Sequence, residues 1–147
     1  MIRRMEKGDR QAYLVMADAF YSTDAVLKKI PRESIETTFE GIVSGTPFAE
    51  CFMLLAPGGE TAGYALLSHS FSQEAGGRVV WVEELYVRPA FRGRGLAKEF
   101  FRYLKKNYGG KAKRFRLDVD ADNKKAIGLY RELGFEPLPY KQMVIDF

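Results

Sequence analysis

Residues 83–97 read EELYVRPAFRGRGLA, and this stretch decides how the chain folds. It starts at the end of a run, 78–87, whose valines, tryptophan and tyrosine predict a β-strand. Pro89 closes the run, and apolar residues then recur on one face of a predicted helix. The turn between them holds Gly93 and Gly95, which permit tight turning and close approach to a ligand. The stretch therefore predicts a strand, a glycine turn and a helix in direct succession.

This turn has the features of an anion site. The first turn of a helix leaves N–H groups without acceptors at the positive end of the helix dipole. Arg92 and Arg94 add positive charge. The turn is not a Walker A loop, because G-x-x-x-x-G-K-[ST] is absent, nor the dinucleotide fingerprint, because Lys98 stands where the third glycine belongs. On this pattern alone, a phosphate site and an ordinary turn are equally open.

The sequence on either side predicts further elements. Two amphipathic helices, over about 12–20 and 31–43, precede a pair of hairpin strands. A strand–helix–strand–helix run in the second half implies parallel pairing, whereas the hairpins imply antiparallel pairing. The order β-α-α-β-β-β-α-β-α-β therefore predicts a mixed α/β sheet covered by helices. The predicted strands are 2–5, 51–56, 61–70, 78–87, 115–120 and 143–147.

The composition is that of a globular domain. The chain has 147 residues, which suffice for one domain, 1–147, but not for two cores. Hydrophobic residues make up 46% and charged residues 29%, which excludes a disordered chain. A single cysteine, Cys51, excludes an internal disulfide framework and favours the cytoplasm. The longest apolar run, 51–56, is too short to span a bilayer, and residues 1–9 lack the apolar region of a secretory signal, so no membrane partner is expected.

The charge is uneven along the chain. The net charge is −3 over residues 1–77 and +7 over residues 78–147, for a total of +4. An anionic ligand in the second half and a solvated basic surface both fit this distribution. A basic cluster in that half could contact nucleic acid: Lys111, Lys113, Arg114 and Arg116. It offers only Phe115 as a stacking platform, and +4 is weak for that role, so no nucleic-acid partner is expected.

Residues 83–97 resemble the acetyl-CoA motif of the GNAT-superfamily acyltransferases. The family signature [Q/R]-x-x-G-x-[G/A] is met by Arg92, Gly95 and Ala97. A second motif follows at the expected distance, over 123–136, and looks like the family's Asn…Ala…Tyr helix ending in Gly-Phe. The stretch from Gly63 to the strand further resembles the diamine and thialysine acetyltransferase branch.

This resemblance covers nearly the whole chain. It implies a mostly antiparallel central sheet of six to seven strands with four helices. It also implies an N-acetyltransferase that uses acetyl-CoA as co-substrate, needs no metal, acts on a small-molecule amine and forms a homodimer. A non-catalytic CoA-binding module and a peptide or protein N-acetyltransferase stay open as alternatives.

The resemblance also assigns the cofactor site. Backbone N–H groups of 93–98 would hold the pyrophosphate, and main-chain groups of 85–87 would bind the pantetheine arm like an added strand. Asn123 matches the family's position beside the pantetheine. The residues implied to bind the cofactor are Leu85, Tyr86, Val87, Arg92, Gly93, Arg94, Gly95, Leu96, Ala97, Lys98, Asn123 and Tyr130.

Three residues are candidates for acid–base chemistry or acceptor binding. Tyr130 matches the family tyrosine that faces the CoA sulfur, where a phenol of pKa ~10 can donate a proton to the departing thiolate. Without the motif, it would be read as a core aromatic residue. Glu83 and Glu84 are adjacent on a strand, so we expect them on opposite faces. We favour Glu83 as the base or as a clamp for the amine, and both carboxylates as acceptor-binding candidates; His69 is the next candidate base.

The acceptor is the least determined part of the prediction. In this family, the region 17–47 shapes the acceptor pocket. Here it is acidic, which suits a cationic amine, although a solvated helix face fits equally well. The residues concerned are Asp18, Asp24, Glu33, Glu36 and Glu40. Trp81 is expected in the core, and no His/Cys/Asp cluster has the spacing of a metal site.

Overall fold

The computed structural model describes residues 1–23, 26 and 28–147, and shows a five-stranded sheet flanked by four helices. The strands are β1 (Ile2–Arg4), β2 (Ala49–Leu55), β3 (Thr61–Ser72), β4 (Gly77–Val87) and β5 (Arg114–Leu117). The helices are α1 (Arg10–Phe20), α2 (Arg32–Val43), α3 (Leu96–Tyr108) and α4 (Lys124–Glu132). The spatial order is β1-β2-β3-β4-β5, antiparallel throughout except for the parallel pair β4–β5. The mixed, mostly antiparallel sheet with four helices is therefore confirmed.

The prediction of six to seven strands was wrong: the sheet of the described residues has five, and the predicted last strand, 143–147, does not form. Residues 135–147 have no regular secondary structure, and Met143 is 96% exposed. A strand needs a neighbour that satisfies its backbone N–H and C=O groups, and among the described residues none pairs with 143–147. The segment is instead held near the end of β5, where the Gln142 amide donates to the Asp118 carboxylate at 2.6 and 2.8 Å.

Strand alternation divides the core into two layers. On one face of the sheet, which we call the α1/α2 face, Tyr64 and Leu66 pack with Tyr13 and Phe39 of the helices. On the other, the α3/α4 face, Phe52 of β2 and Leu67 of β3 pack with buried side chains of α3: Phe100, Phe101 and Leu104. Each fully buried side chain of this size contributes about 1.5–3 kcal/mol of transfer free energy. The two layers therefore hold the sheet rigidly between the helix pairs.

Strand β4 extends beyond its parallel neighbour. Its last pair with β5 is Val82 with Leu117, whereas its pairing with β3 continues to Val87. Residues 83–87 therefore have one edge without a strand partner among the described residues. We call the point where β4 and β5 separate the fork, and it places the candidate site.

Candidate active site

The glycine turn before α3 has the backbone geometry of an anion site. Gly93 and Gly95 have φ of +76° and +80°, in the left-handed region that other residues rarely adopt. Gly95 is the N-cap of α3, so the N–H groups of Leu96, Ala97 and Lys98 have no acceptor within the helix. These donors and the positive end of the helix dipole face the same space.

The two arginines of this turn differ in position. The Arg92 Nε donates to the Val87 carbonyl at 2.9 Å, and the guanidinium lies 5.9 Å from the centre of the Tyr86 ring. Arg92 thus ties the turn to the end of β4. Arg94 donates to the Ala90 carbonyl at 2.9 Å and does not line the cleft described next.

A cleft of about 890 Å³ lies between the end of β4, the glycine turn and α4. Eleven of the twelve residues predicted to bind the cofactor line it, all except Arg94. Sequence reasoning missed several others: Phe20, Thr23, Asp120, Asp122, Lys125 and Leu129. Asp122 and Lys125 flank the Asn123 motif, which could have indicated them. The end of α1 carries no such motif, so the contribution of Phe20 depends on the tertiary fold.

Helix α4 brings Asn123 and Tyr130 to the same cleft. The Asn123 side-chain oxygen accepts a hydrogen bond from the Ala126 N–H at 3.1 Å and caps the helix, so this residue has a structural role as well. The Tyr130 ring packs edge-on against Phe101 and Phe135, with centroids 5.8 and 5.9 Å away. Burial raises the pKa of Tyr130, so the phenol is protonated at neutral pH.

A β-bulge on β4 corrects the expectation for the two glutamates. Leu66 is opposite Glu84 and Leu67 is opposite Val82, so Glu83 is an extra residue without a partner on β3. A bulge interrupts the alternation of side chains. As a result, Glu84 contacts Tyr64, and Glu83 accepts a hydrogen bond from Ser68. Because residues 64, 66 and 68 share the α1/α2 face, both carboxylates lie on that face; the predicted placement on opposite faces was wrong.

Glu84 is buried and already occupied. It is 7% exposed and accepts hydrogen bonds from the Tyr21 hydroxyl at 2.6 Å and the Tyr64 hydroxyl at 2.5 Å. Burial raises the pKa of Glu84, partly offset by the two hydroxyl donors. Glu83, in contrast, is exposed and stands beside the fork. Neither carboxylate lines the cleft.

The structure separates His69 from the cleft. His69 pairs with Val80 on the α3/α4 face, away from the end of β4. Its Nε2 lies 2.7 Å from the Glu50 carboxylate, and the Arg78 guanidinium lies 3.1 Å from its Nδ1. Because arginine only donates, Nδ1 accepts and Nε2–H donates to Glu50. This network occupies both ring nitrogens and leaves neither for a substrate.

No described carboxylate of the acidic region 17–47 lines the cleft. Asp18 lies 2.5 Å from Arg32, and Arg10 contacts Glu36 at 3.3 Å and Glu40 at 3.7 Å, all at exposed positions. Glu33 is exposed, and Asp24 lies outside the described residues. Within the described ranges, we find no group of three His, Cys, Asp or Glu side chains that could hold a metal ion. No helix of the described chain has the length and apolarity needed to cross a membrane.

The basic cluster is divided between different partners. Arg114 contacts Glu74 at 3.2 Å, whereas the Arg116 guanidinium lies 4.0 Å from the centre of the Trp81 ring. Trp81 is half-buried rather than in the core, which corrects the prediction. Its indole is covered by a charged group on β5 rather than by the packed apolar layers.

Known proteins share this architecture. Residues 17–135 match the model of the acetyltransferase (GNAT) family. The chain is 31% identical to thialysine N-epsilon-acetyltransferase of Bos taurus over 148 aligned positions, covering 94% of this chain and 85% of that protein. It is 37% identical over 93 positions to mycothiol acetyltransferase of Thermobispora bispora, covering 63% of this chain and 27% of that protein.

Solved structures agree on the fold. The structure of AAC(6')-Iy in complex with the bisubstrate analogue CoA-S-monomethyl-acetylneamine superposes with a TM-score of 0.80 at 20% identity, covering all of this chain and 97% of that one. The family model and the Bos taurus relative therefore lead to the same assignment: the chain belongs to the acetyltransferase (GNAT) family and is an acyltransferase.

Proposed function

We propose that this acyltransferase moves an acetyl group from acetyl-CoA to the primary amine of a small cationic molecule, by direct attack in a ternary complex. The observation that carries the proposal is the cleft itself. One space is bordered by the anion-binding turn, the open edge of β4 and the Tyr130 side chain. Similarity to thialysine N-epsilon-acetyltransferase and to a CoA-analogue complex supports this choice.

The described residues fit acetyl-CoA. The N–H groups of 93–98 would hold the pyrophosphate, helped by Arg92 and Lys98, which line the cleft. The open edge of β4 at 85–87 would hydrogen-bond the amides of the pantetheine arm, as a strand does, with Asn123 beside it. Acetyl-CoA supplies an activated acetyl group; the chain supplies its orientation and the proton transfers.

Tyr130 is the proposed acid. Its raised pKa keeps the phenol protonated, and no hydrogen bond from its hydroxyl to another described residue is found, so the proton is available to a ligand in the cleft. As the nitrogen–carbon bond forms and the carbon–sulfur bond breaks, the sulfur leaves as a thiolate. Proton donation by Tyr130 to that thiolate would complete the transfer.

Glu83 is the proposed base or amine clamp. An ammonium must lose a proton before it can attack, and a carboxylate can accept it directly or through water. Glu83 stands at the fork, beside the β4 edge proposed to hold the thioester, and its only described partner is the Ser68 hydroxyl. Glu84 is already bonded to two tyrosines, which favours a role in binding or in shaping the site.

An amine panel tests the function. The protein and acetyl-CoA are incubated with diamines, amino acids, aminoglycosides and peptide N-termini, and CoA release is followed by thiol titration. We expect small cationic amines to give the highest kcat/KM. Acetylation of peptides alone would favour a protein N-acetyltransferase. Acetyl-CoA binding with no transfer to any amine would favour a non-catalytic module and overturn the proposal.

We further propose that the protein is a cytoplasmic homodimer. The family resemblance favours the dimer, and apolar side chains left exposed at the C-terminus, Val144 at 83% and Ile145 at 77%, suit an interface. A single buried, free cysteine suits a reducing compartment. Light scattering of the purified protein tests the dimer, and cell fractionation tests the location.

A further inference from the structure

Three side chains form a row across the sheet next to the fork. Ser68 of β3 is opposite Trp81 of β4, and Trp81 pairs with Arg116 of β5. Ser68 shares the α1/α2 face with Leu66, and Arg116 lies between Phe115 and Leu117, which both pack on the other face. The row is thus on the same face as Glu83, which bonds to Ser68.

The Arg116 guanidinium lies over the Trp81 ring and has no polar partner among the described residues. Its Cζ lies 4.0 Å from the centre of the Trp81 ring, closer than Arg94 to Phe91 at 5.2 Å. A cation–π contact of this kind holds the guanidinium against the ring and leaves its N–H groups available as donors. Within the described part of the chain, Arg116 makes no hydrogen bond or ion pair, whereas Arg114 on the same strand is paired with Glu74. A fixed, half-buried guanidinium is suited to bidentate contact with a carboxylate.

Arg116 and Glu83 are also close enough for one small acceptor molecule to contact both. Neighbouring strands lie ~4.8 Å apart and residues rise ~3.3 Å along a strand, so their Cα atoms are roughly 8 Å apart. A carboxylate and a guanidinium therefore stand on one face, beside the proposed position of the thioester. A purely cationic diamine with one ammonium at Glu83 would place its second positive charge next to Arg116.

We infer that Arg116, held against the Trp81 ring, binds a carboxylate of the acceptor while Glu83 faces its amine. The acceptor is then an amino-acid-like amine rather than a plain diamine or an aminoglycoside. This inference rests on the proposed function and narrows its substrate class. Arg116 acts as a specificity-determining residue, and Trp81 positions it.

Matched amine pairs test the inference by kinetics. Lysine and 1,5-diaminopentane differ only in the carboxylate, as do ornithine and 1,4-diaminobutane. We expect kcat/KM to favour the carboxylated member roughly 10- to 100-fold, the range for a charge-assisted contact, mainly through KM. Arg116→Met should collapse this ratio toward one, and Arg116→Lys should restore part of it. Arg114→Met removes a charge on the same strand and should leave the ratio unchanged.

Equilibrium binding gives a second readout that needs no turnover. Trp81 is the only tryptophan of the chain, so its fluorescence reports directly on this row. In the presence of CoA, lysine should change the emission at lower concentration than 1,5-diaminopentane does, and Arg116→Met should abolish the difference. Equal kcat/KM and equal titrations for both members of each pair would overturn the carboxylate site but not amine acetylation. Absence of transfer to any amine would overturn the proposed function instead. In that case the Trp81 fluorescence titration would still test whether Arg116 binds a carboxylate.

Discussion

The cleft and the bulged face of β4 both border the fork but are built from different groups. In the cleft, the polar groups that would meet a phosphate are backbone N–H donors, placed by two glycines with positive φ. On the bulged face, the polar groups are side chains: an exposed carboxylate at Glu83, a buried one at Glu84 and the Arg116 guanidinium against the Trp81 ring.

This difference suggests a division of tasks. Backbone donors recognise the part of a ligand that is common to all turnovers, and only a change of backbone conformation removes them. Side-chain charges at the fork can be exchanged without altering the turn, so acceptor choice can change while cofactor binding stays the same. Variants of the glycine turn should therefore change acetyl-CoA binding, whereas variants of the charged side chains at the fork should change the use of the amine.

The largest effect should come from the glycine turn. Gly95→Val forces a branched side chain into φ of +80° and blocks backbone approach, so acetyl-CoA should no longer raise the Tm. Gly59→Val is the matched control, because Gly59 has φ of +84° in the β2–β3 hairpin and bears similar strain away from the cleft. If Gly95→Val binds acetyl-CoA as well as the parent does, the turn is not the phosphate site.

Tyr130→Phe should give the next largest effect. It keeps the ring packing and removes one proton donor, so kcat should fall roughly 10- to 1000-fold with nearly unchanged acetyl-CoA affinity. Tyr103→Phe removes a hydroxyl elsewhere on the α3/α4 face and serves as the control. Equal kcat in Tyr130→Phe and parent, with chemistry shown to limit turnover, would remove Tyr130 from the mechanism.

The third effect in size should be a difference in kcat/KM between the variants of the two glutamates. Glu83→Gln should lower kcat/KM for the amine and move its pH profile upward, because an amine of pKa ~10 must then arrive already neutral. Glu84→Gln should change kcat/KM less. Measuring both profiles from pH 6 to 10 decides the assignment: a parental profile in Glu83→Gln with a collapsed one in Glu84→Gln would transfer the base to Glu84.

The smallest effect concerns stability. Burial raises the pKa of Glu84 above its ordinary value of 4.5, so the folded state binds more protons than the unfolded state. The contribution of Glu84 to stability is therefore full at low pH and is lost as pH rises through the folded-state pKa. Glutamine does not titrate, so the free energy of unfolding of Glu84→Gln should rise relative to that of the parent as pH increases. A pH-independent difference in urea unfolding would contradict this.

The cleft was largely predictable from sequence, because its parts are local. A glycine turn between a strand and a helix, and an Asn-to-Tyr spacing on one helix, are fixed by neighbours in the chain. The bulged face was not, because Glu83 bulges only through the register of β4 against β3, and Trp81 meets Arg116 only through a crossover. The C-terminal strand failed similarly: residues 143–147 alternate well enough but find no paired edge among the described strands.

Direct transfer between two ligands is the central claim, and product stoichiometry tests it most directly. The protein is mixed with acetyl-CoA, first alone and then with the best amine; CoA is quantified by thiol titration, and the acetylated amine and intact protein by mass spectrometry. The account predicts no acetylated protein before the amine is added, then one acetylated amine per CoA released, and neither product with Gly95→Val. Stoichiometric acetyl-protein formed before the amine arrives, or CoA release without acetylated amine, would contradict it.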